Sequence, residues 1–373
     1  MKIFFITHYV TLIINFITAF VISYLSVKPI VEVSHAKELI DLPNDRTSHK
    51  QPTATLGGIA IFAGFIFASL LFPPSGSLLE LRYIVAGALL MFFVGLKDDI
   101  FVTSPLVKLG SQIVTAIIMV DFANIRLTSL HGFLGITLIE YHWSLYLTIF
   151  VVVVIINAFN LIDGIDGLAA GIGIVSSIAF GTWFYLSGQF EFAFLTAALV
   201  GALGGFLRFN LFSKDKKIFM GDTGSLVLGF LIAVFAIQFN QSNLEIGIKG
   251  SYYIKASPAV SISILIVPLF DTLRVFIIRI CRKQSPFKAD KTHLHHKLLD
   301  LGYSHVKATA ILVFFNIVFI ILAFLLKDLG IIILMLIVLS LSTILSYIPF
   351  YIVRRRYKKQ LLCKNENINV SEV

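Results

Sequence analysis

Long apolar blocks recur from one end of this chain to the other, separated by short polar connections. A bilayer core needs about 20 mostly apolar residues per crossing helix. Eleven segments read as such helices: 3–27, 56–73, 80–97, 107–121, 144–159, 168–187, 190–207, 224–240, 256–280, 306–326 and 329–353. The fourth and fifth are the shortest. The first has one Lys before it and no small-residue cleavage site, so it reads as a retained helix rather than a signal peptide. Between spans four and five, segment 122–143 alternates weakly around Gly132 and Gly135, which predicts a short hairpin.

Composition agrees with the pattern. Of 373 residues, 57% are hydrophobic and 14% charged, against about 25% charged in an ordinary soluble domain. Mean hydropathy is +0.91. These values exclude a soluble enzyme, a secreted disulfide scaffold and a disordered chain. The two cysteines, Cys281 and Cys363, have neither zinc nor disulfide spacing. The fold class expected is an all-α polytopic membrane protein. Residues 1–353 form one integral membrane domain, followed by a basic tail over 354–373.

The net charge of +9 would suit nucleic acid in a soluble protein. In a membrane protein it marks the cytoplasmic side, so no nucleic-acid partner is expected. Connections 28–55, 97–108, 208–217 and 274–307, with the tail, carry 24 of the 30 Lys and Arg. That side is expected to face the cytoplasm, with the N-terminus outside and the tail inside. The tail meets anionic membrane lipid.

Acidic and imidazole groups gather on the same connections. Charges at one face suggest a site open to one compartment, whereas mid-membrane charges mark a transport path. Five clusters stand out. In the first, Arg46, His49 and Thr53 precede Gly57-Gly58 at the start of a helix. It reads either as a solvated loop or as an anion contact, since helix N-termini favour phosphate. In the second, Asp98 and Asp99 sit beside Lys97, with Lys108 following. Adjacent carboxylates repel, so they read as a helix-end pair in water or as part of a magnesium-phosphate site. In the third, Asn157, Asn160, Asp163 and Asp166 recur every three residues and would line one stripe.

The fourth cluster is Phe219-Met-Gly-Asp222-Thr-Gly-Ser225. Asp222 could cap a helix, or bind metal while amides 223–225 face a phosphate. Phe219 could stack on a base. The fifth joins Asp271 and Arg274 to His293, His295 and His296. No Cys accompanies the three His, and nearby cations oppose zinc. They read as diphosphate donors or as an interfacial cluster. Hard-cation carboxylates, phosphate-binding cations and an aromatic together are what phosphoryl transfer requires. The membrane implies a lipid reactant and the cytoplasmic face a soluble one.

At these residues the chain resembles the polyprenyl-phosphate N-acetylhexosamine-1-phosphate transferase family, from Asp41 to Gly302 and in the same order. The stretch Ser285 to Ser304 is similar to the branch that uses N-acetylglucosamine to start O-antigen, common antigen or teichoic acid linkage units. Leu294 interrupts the three consecutive His of the phospho-MurNAc-pentapeptide branch.

The resemblance implies transfer of a sugar-1-phosphate from a UDP-N-acetylhexosamine to undecaprenyl phosphate, releasing UMP, with Mg²⁺ or Mn²⁺, at the inner membrane. It implies metal at Asp222, Asp98 and Asp99, with His293, His295 and His296 also catalytic. It implies substrate contacts from Arg46, His49, Thr53, Lys108, Asn157, Asn160, Asp163, Asp166 and Phe219. A homodimer stays open as a partner. Asp222→Ala and Asp99→Ala are expected to abolish turnover and leave the fold intact, because both would sit at the bundle surface. The reading from another class is a transporter. It would need mid-membrane charges and repeated broken helices.

Overall fold

The computed structural model describes residues 2–41, 52–72, 78–213, 215–284 and 292–371. Thirteen helices lie among them. They are α1 (Lys2–Ala36), α2 (Gly57–Leu71), α3 (Leu78–Ile100), α4 (Pro105–Ile117), α5 (Tyr141–Ile162), α6 (Leu168–Leu186) and α7 (Phe190–Phe212). Then follow α8 (Gly221–Ile246), α9 (Ser257–Ile264), α10 (Ile266–Cys281), α11 (Leu294–Asp300), α12 (His305–Leu325) and α13 (Ile331–Ser371). A π turn, Ile118–Phe122, extends α4. Every apolar segment expected from the sequence coincides with a helix or a helix pair. Eight described helices are long and apolar enough to cross a bilayer, and the bent pair α9–α10 makes a ninth. α2 is shorter, at 15 residues. α3 carries Glu80 and Arg82 near its start and Lys97, Asp98 and Asp99 at its end.

α8 is the axis of the bundle. Nearly all its side chains from Thr223 to Ile237 are buried, so the apolar residues are not sorted to one face. α3, α5, α6 and α2 pack around it. α1 packs along α7, where a Cβ on Gly201 would lie 2.2 Å from the Phe16 carbonyl. The Gly201/Gly205 pair therefore serves close helix packing, as its spacing suggests.

α9 and α10 meet at Leu265 at 82°. Pro268 has no N–H to give to the carbonyl of Ile264, four residues before it. That carbonyl instead accepts Ser176 Oγ of α6 at 3.2 Å and Asn316 Nδ2 of α12 at 3.1 Å. The carbonyl freed by the bend is thus paired twice.

The hairpin expected over 122–143 is not present. The segment holds one isolated bridge, Phe133 to Ile136. Beyond this turn the two arms meet through the Ile139 N–H and the Thr128 carbonyl at 2.9 Å, without forming a strand pair. Gly132 (φ 82°) and Gly135 (φ 80°) serve the turn. The only strand pair among the described residues is β1 (Ile40–Asp41) with β2 (Thr53–Ala54), antiparallel.

Candidate active site

The charged connections come together because they lie at one end of the bundle. There α3 and α5 end, and α2, α4, α6 and α8 begin. Between them is a polar cleft of about 1070 Å³ lined by Asp41, Thr55, Asp99, Asn160, Asp163, Asp166, Asn210, Phe219, Asp222 and His296 among others.

Asp222 is the hub. It lies in the first turn of α8 rather than at its cap. Its Oδ1 accepts Asn160 Nδ2 at 3.0 Å, and Asn160 Nδ2 also meets Ser225 Oγ at 2.9 Å. Its Oδ2 pairs with Lys108 Nζ. Lys108 also reaches Asp98 Oδ2 at 2.7 Å, so one cation spans two carboxylates. The other oxygen of Asp98 accepts the Thr103 N–H at 2.8 Å.

Asp99 does what the sequence reading gave to a phosphate. Its Oδ1 accepts the N–H of Asp222 at 2.8 Å. Its Oδ2 accepts the N–H of Thr223 at 3.0 Å and Thr223 Oγ at 2.5 Å. A carboxylate from α3 therefore caps α8, and those amides face a side chain rather than a ligand. The expectation that Asp99 is a surface group whose loss spares the fold is corrected by this bonding. The amides of Gly57 and Gly58 are committed in the same way, to the carbonyls of Phe219 at 2.9 Å and Met220 at 2.8 Å. Of the two readings of that helix start, these amides do not serve the anion contact. They join α2 to the strand-like run before α8, where Ala54 also bridges Ile218 in parallel.

The stripe on α5 is split. Asn157 Nδ2 bonds Gln112 Oε1 of α4 and the Val153 carbonyl, each at 2.7 Å, and the residue does not line the cleft. Asn160 holds Asp222. Asp163 follows the last residue of α5 and lines the cleft. Among the described residues no cation or donor pairs with its carboxyl. Burial, then the charges of Asp222, Asp99 and Asp166, push it well above the usual carboxylate range.

Asp166 is tied into the structure. Its Oδ2 lies 2.7 Å from Lys217 Nζ and 2.9 Å from His305 Nδ1, and its carbonyl accepts Thr309 Oγ1 at 2.7 Å. Burial alone would raise Asp166, but the pairing with His305 and Lys217 outweighs it and holds the carboxyl below the ordinary range. The stability it adds is therefore present above about pH 4 and lost as pH falls through the lowered value. In detergent, the melting temperature of the wild type is expected to fall on acidification below that pH. Asp166→Asn should melt lower at neutral pH and lose less on acidification. Parallel acid curves for the two proteins would refute the pairing.

The His motif forms a stack. Asp271 of α10 accepts His293 Nδ1 at 2.9 Å, the Leu294 N–H at 3.0 Å and Arg274 at 2.7 Å. His293 stacks on His295, with ring centres 5.6 Å apart, and His295 lies 4.2 Å from His296. Only His296 of the three lines the cleft. His295 is buried, and among the described residues neither ring nitrogen has a hydrogen-bond partner. Burial and then the neighbouring His296 push it down to about 3, so it is neutral. A Cβ on Gly164 would stand 2.5 Å from its Nε2, so the Asp163–Asp166 turn rests on this ring.

Thr53 is buried in β2, and Asp41 and Thr55 line the cleft in its place. Arg46 and His49 lie outside the described residues. Phe219 lines the cleft with Lys217 Nζ 5.4 Å over its ring. Sequence reasoning missed Asn210, which accepts the Gly167 N–H at 2.6 Å and donates to the Ile218 carbonyl at 2.8 Å. It also missed His305. Neither residue sits in a motif, and only the fold brings them to Asp166 and its turn.

Among the described residues no three of His, Cys, Asp and Glu gather as a metal cage. Magnesium commonly takes one or two carboxylates and completes its shell with water and substrate phosphate. Asp222 and Asp163 both open on the cleft, and Asp163 has no cation of its own. Asp222 is held by Asn160 and Lys108, Asp99 by amides and Asp98 by Lys108 and Thr103, so an ion arriving with a diphosphate would find Asp163 unpaired and would take Asp222 only by displacing Lys108.

A helical membrane protein with a polar, carboxylate-rich cleft at one end of its bundle is the class that this geometry defines. Residues 81–240 match glycosyl transferase family 4. The chain is 33% identical over 273 residues to an undecaprenyl-phosphate alpha-N-acetylglucosaminyl 1-phosphate transferase of Yersinia pestis, covering 72% of each protein. It is 34% identical over 328 residues to a probable undecaprenyl-phosphate N-acetylglucosaminyl 1-phosphate transferase of Bacillus subtilis, covering 84% of this chain and 86% of the relative. The corresponding transferase of Escherichia coli O157:H7 is 31% identical over 276 residues, 72% of this chain and 71% of the relative. The chain belongs to glycosyl transferase family 4. The resemblance read from its motifs is borne out.

Proposed function

We propose that this protein transfers N-acetylglucosamine-1-phosphate from UDP-N-acetylglucosamine to undecaprenyl phosphate, releasing UMP and starting a lipid-linked cell-envelope glycan. The observation that carries the reading is the convergence on Asp222. Asn160, Lys108 and Asp99 reach that one residue from three separate helices, Asp99 through the Asp222 N–H. The names of the relatives supply the sugar and the lipid.

The donor's diphosphate lies in the polar cleft, with its uracil near Phe219 and His296 beside the phosphates. A phosphate oxygen of the lipid attacks the sugar-proximal phosphorus. A new P–O bond forms, the bond from that phosphorus to the bridging oxygen breaks, and UMP carries the bridging oxygen away. Asp222 and Asp163 would hold a divalent cation, Mg²⁺ or Mn²⁺, which supplies neutralisation of the charge on the diphosphate. Lys108 orients the attacking phosphate, and Asn160 fixes the Asp222 rotamer. Asp99 positions α8. Its committed oxygens favour direct displacement over a phospho-aspartyl route through that residue.

Eleven crossings, counting α2, α3 and the bent pair, leave the cleft on the side that bears 24 of the 30 Lys and Arg. That supports a cytoplasmic site in the inner membrane. The test is the nucleotide released by purified protein with undecaprenyl phosphate, UDP-N-acetylglucosamine and Mg²⁺. UMP that depends on lipid and metal is expected. UDP would mean that the sugar moves alone, and would overturn the mechanism.

A further inference from the structure

α4 is thinly anchored. Of its 13 residues only Gln112, Thr115 and Ala116 are buried. Thr115 Oγ1 has no hydrogen-bond partner among the described residues. The helix rests on α3 and α5. Its one side-chain tie to α5 among the described residues is an amide pair. Asn157 Nδ2 donates to Gln112 Oε1 at 2.7 Å, and Gln112 Nε2 returns to Asn157 Oδ1 at 3.5 Å. A buried amide in hydrocarbon is costly unless it is bonded. A reciprocal pair satisfies both ends in one register, and sliding α4 by one residue, about 1.5 Å, would break it. Buried polar pairs of this kind specify register more than they add stability.

The pair lies directly behind the site. Lys108 and Gln112 are four residues apart on α4, and Asn157 and Asn160 three apart on α5, so each couple shares a face of its helix. One turn nearer the cleft end, Lys108 reaches Asp222 Oδ2 and Asn160 reaches Asp222 Oδ1 at 3.0 Å. Two helices thus hold the two oxygens of one carboxylate on a third, and the amide pair closes the ring between those two helices. The amine of a lysine ends a flexible four-carbon stem, so where Lys108 stands depends on where α4 stands.

We propose that Gln112 is a positioning residue: through Asn157 it fixes the register of α4 against α5 and thereby sets Lys108 against Asp222. The consequence for turnover rests on the part given to Lys108 in the function proposed above. Gln112 touches no reactant and does not line the cleft. It acts through Lys108, one turn away.

The test removes both amides at once, with Gln112→Leu and Asn157→Leu together in the purified protein. Replacing both partners by apolar side chains of similar size leaves neither of them unpaired and is close to neutral in stability. The melting temperature should therefore match wild type. kcat for UMP release is expected to fall about tenfold or more, because a shift of about 1 Å in a reacting group is enough for such a loss. The exchanged pair, Gln112→Asn with Asn157→Gln, keeps one long and one short amide across the same gap and should recover most of the loss.

A second measurement needs no turnover. Lys108 is shielded between Asp98 and Asp222, and acylation of its amine, followed by peptide mass spectrometry, reports that shielding. The Gln112→Leu, Asn157→Leu variant is expected to acylate about fivefold faster at Lys108, the weight of one lost bond, while the exchanged pair follows wild type. Wild-type kcat in the double variant, unchanged acylation of Lys108 there, or failure of the exchanged pair to recover both readings would overturn the proposal. Absence of UMP from the wild type together with the acylation difference would remove the reaction and keep the positioning of Lys108.

Discussion

Asp222→Asn is expected to lower UMP release by about 10³-fold or more while the protein keeps its melting temperature. The substitution preserves shape and removes one charge. Asn160 can still meet an amide oxygen at that position. Lys108 loses one of its two carboxylates and is left with Asp98 alone. The cleft loses a hard oxygen ligand, and Asp163 also lines it. Loss of charge rather than of packing therefore dominates. The check is kcat at saturating donor and lipid, with thermal melting in parallel. A variant within tenfold of wild type would sink the role given to Asp222.

Asp99→Ala is expected to lose both activity and stability, whereas Asp98→Ala should lose activity and melt close to wild type. Asp99 accepts from two backbone amides and one hydroxyl at the start of α8, the most buried helix of the bundle. Each buried donor left unpaired costs about 1–3 kcal/mol. Asp98 accepts from Thr103 and Lys108 in a more open setting, where water can replace it. Melting curves of the two variants separate a capping role from a purely chemical one. Equal melting of Asp99→Ala and wild type would return Asp99 to chemistry alone.

Much of this was legible in the sequence because membrane helices announce themselves by apolar length, and site residues by their departure from it. Asn160, Asp163 and Asp222 stood out as polar residues at the ends of apolar runs, and all three line one cleft. What stayed hidden was the partner of each polar group. Two Asp side by side carry no sign that Asp99 will cap a helix more than 120 positions on. Asn157 shares the spacing of Asn160, but one turn of helix moves it from the cleft to Gln112. The Gly57–Gly58 amides looked free to bind an anion until the chain before α8 returned to take them. Spacing along a helix gives direction; it does not say what waits there. Segment 122–143 failed for a related reason. Glycine-flanked alternation fits a single turn as well as a ladder, and only a facing strand would have decided between them.

The carbonyl of Ile264 accepts from α6 and α12 together, so the break between α9 and α10 is bolted on two sides. A kink held in this way is an elbow in a brace and not a joint. The arm beyond it carries Asp271 and, through His293, the imidazole stack that ends at the cleft. Straightening or swinging that arm would strand an acceptor in hydrocarbon and drag the stack with it. The break between α9 and α10 is therefore expected to hold its angle while substrates bind and leave.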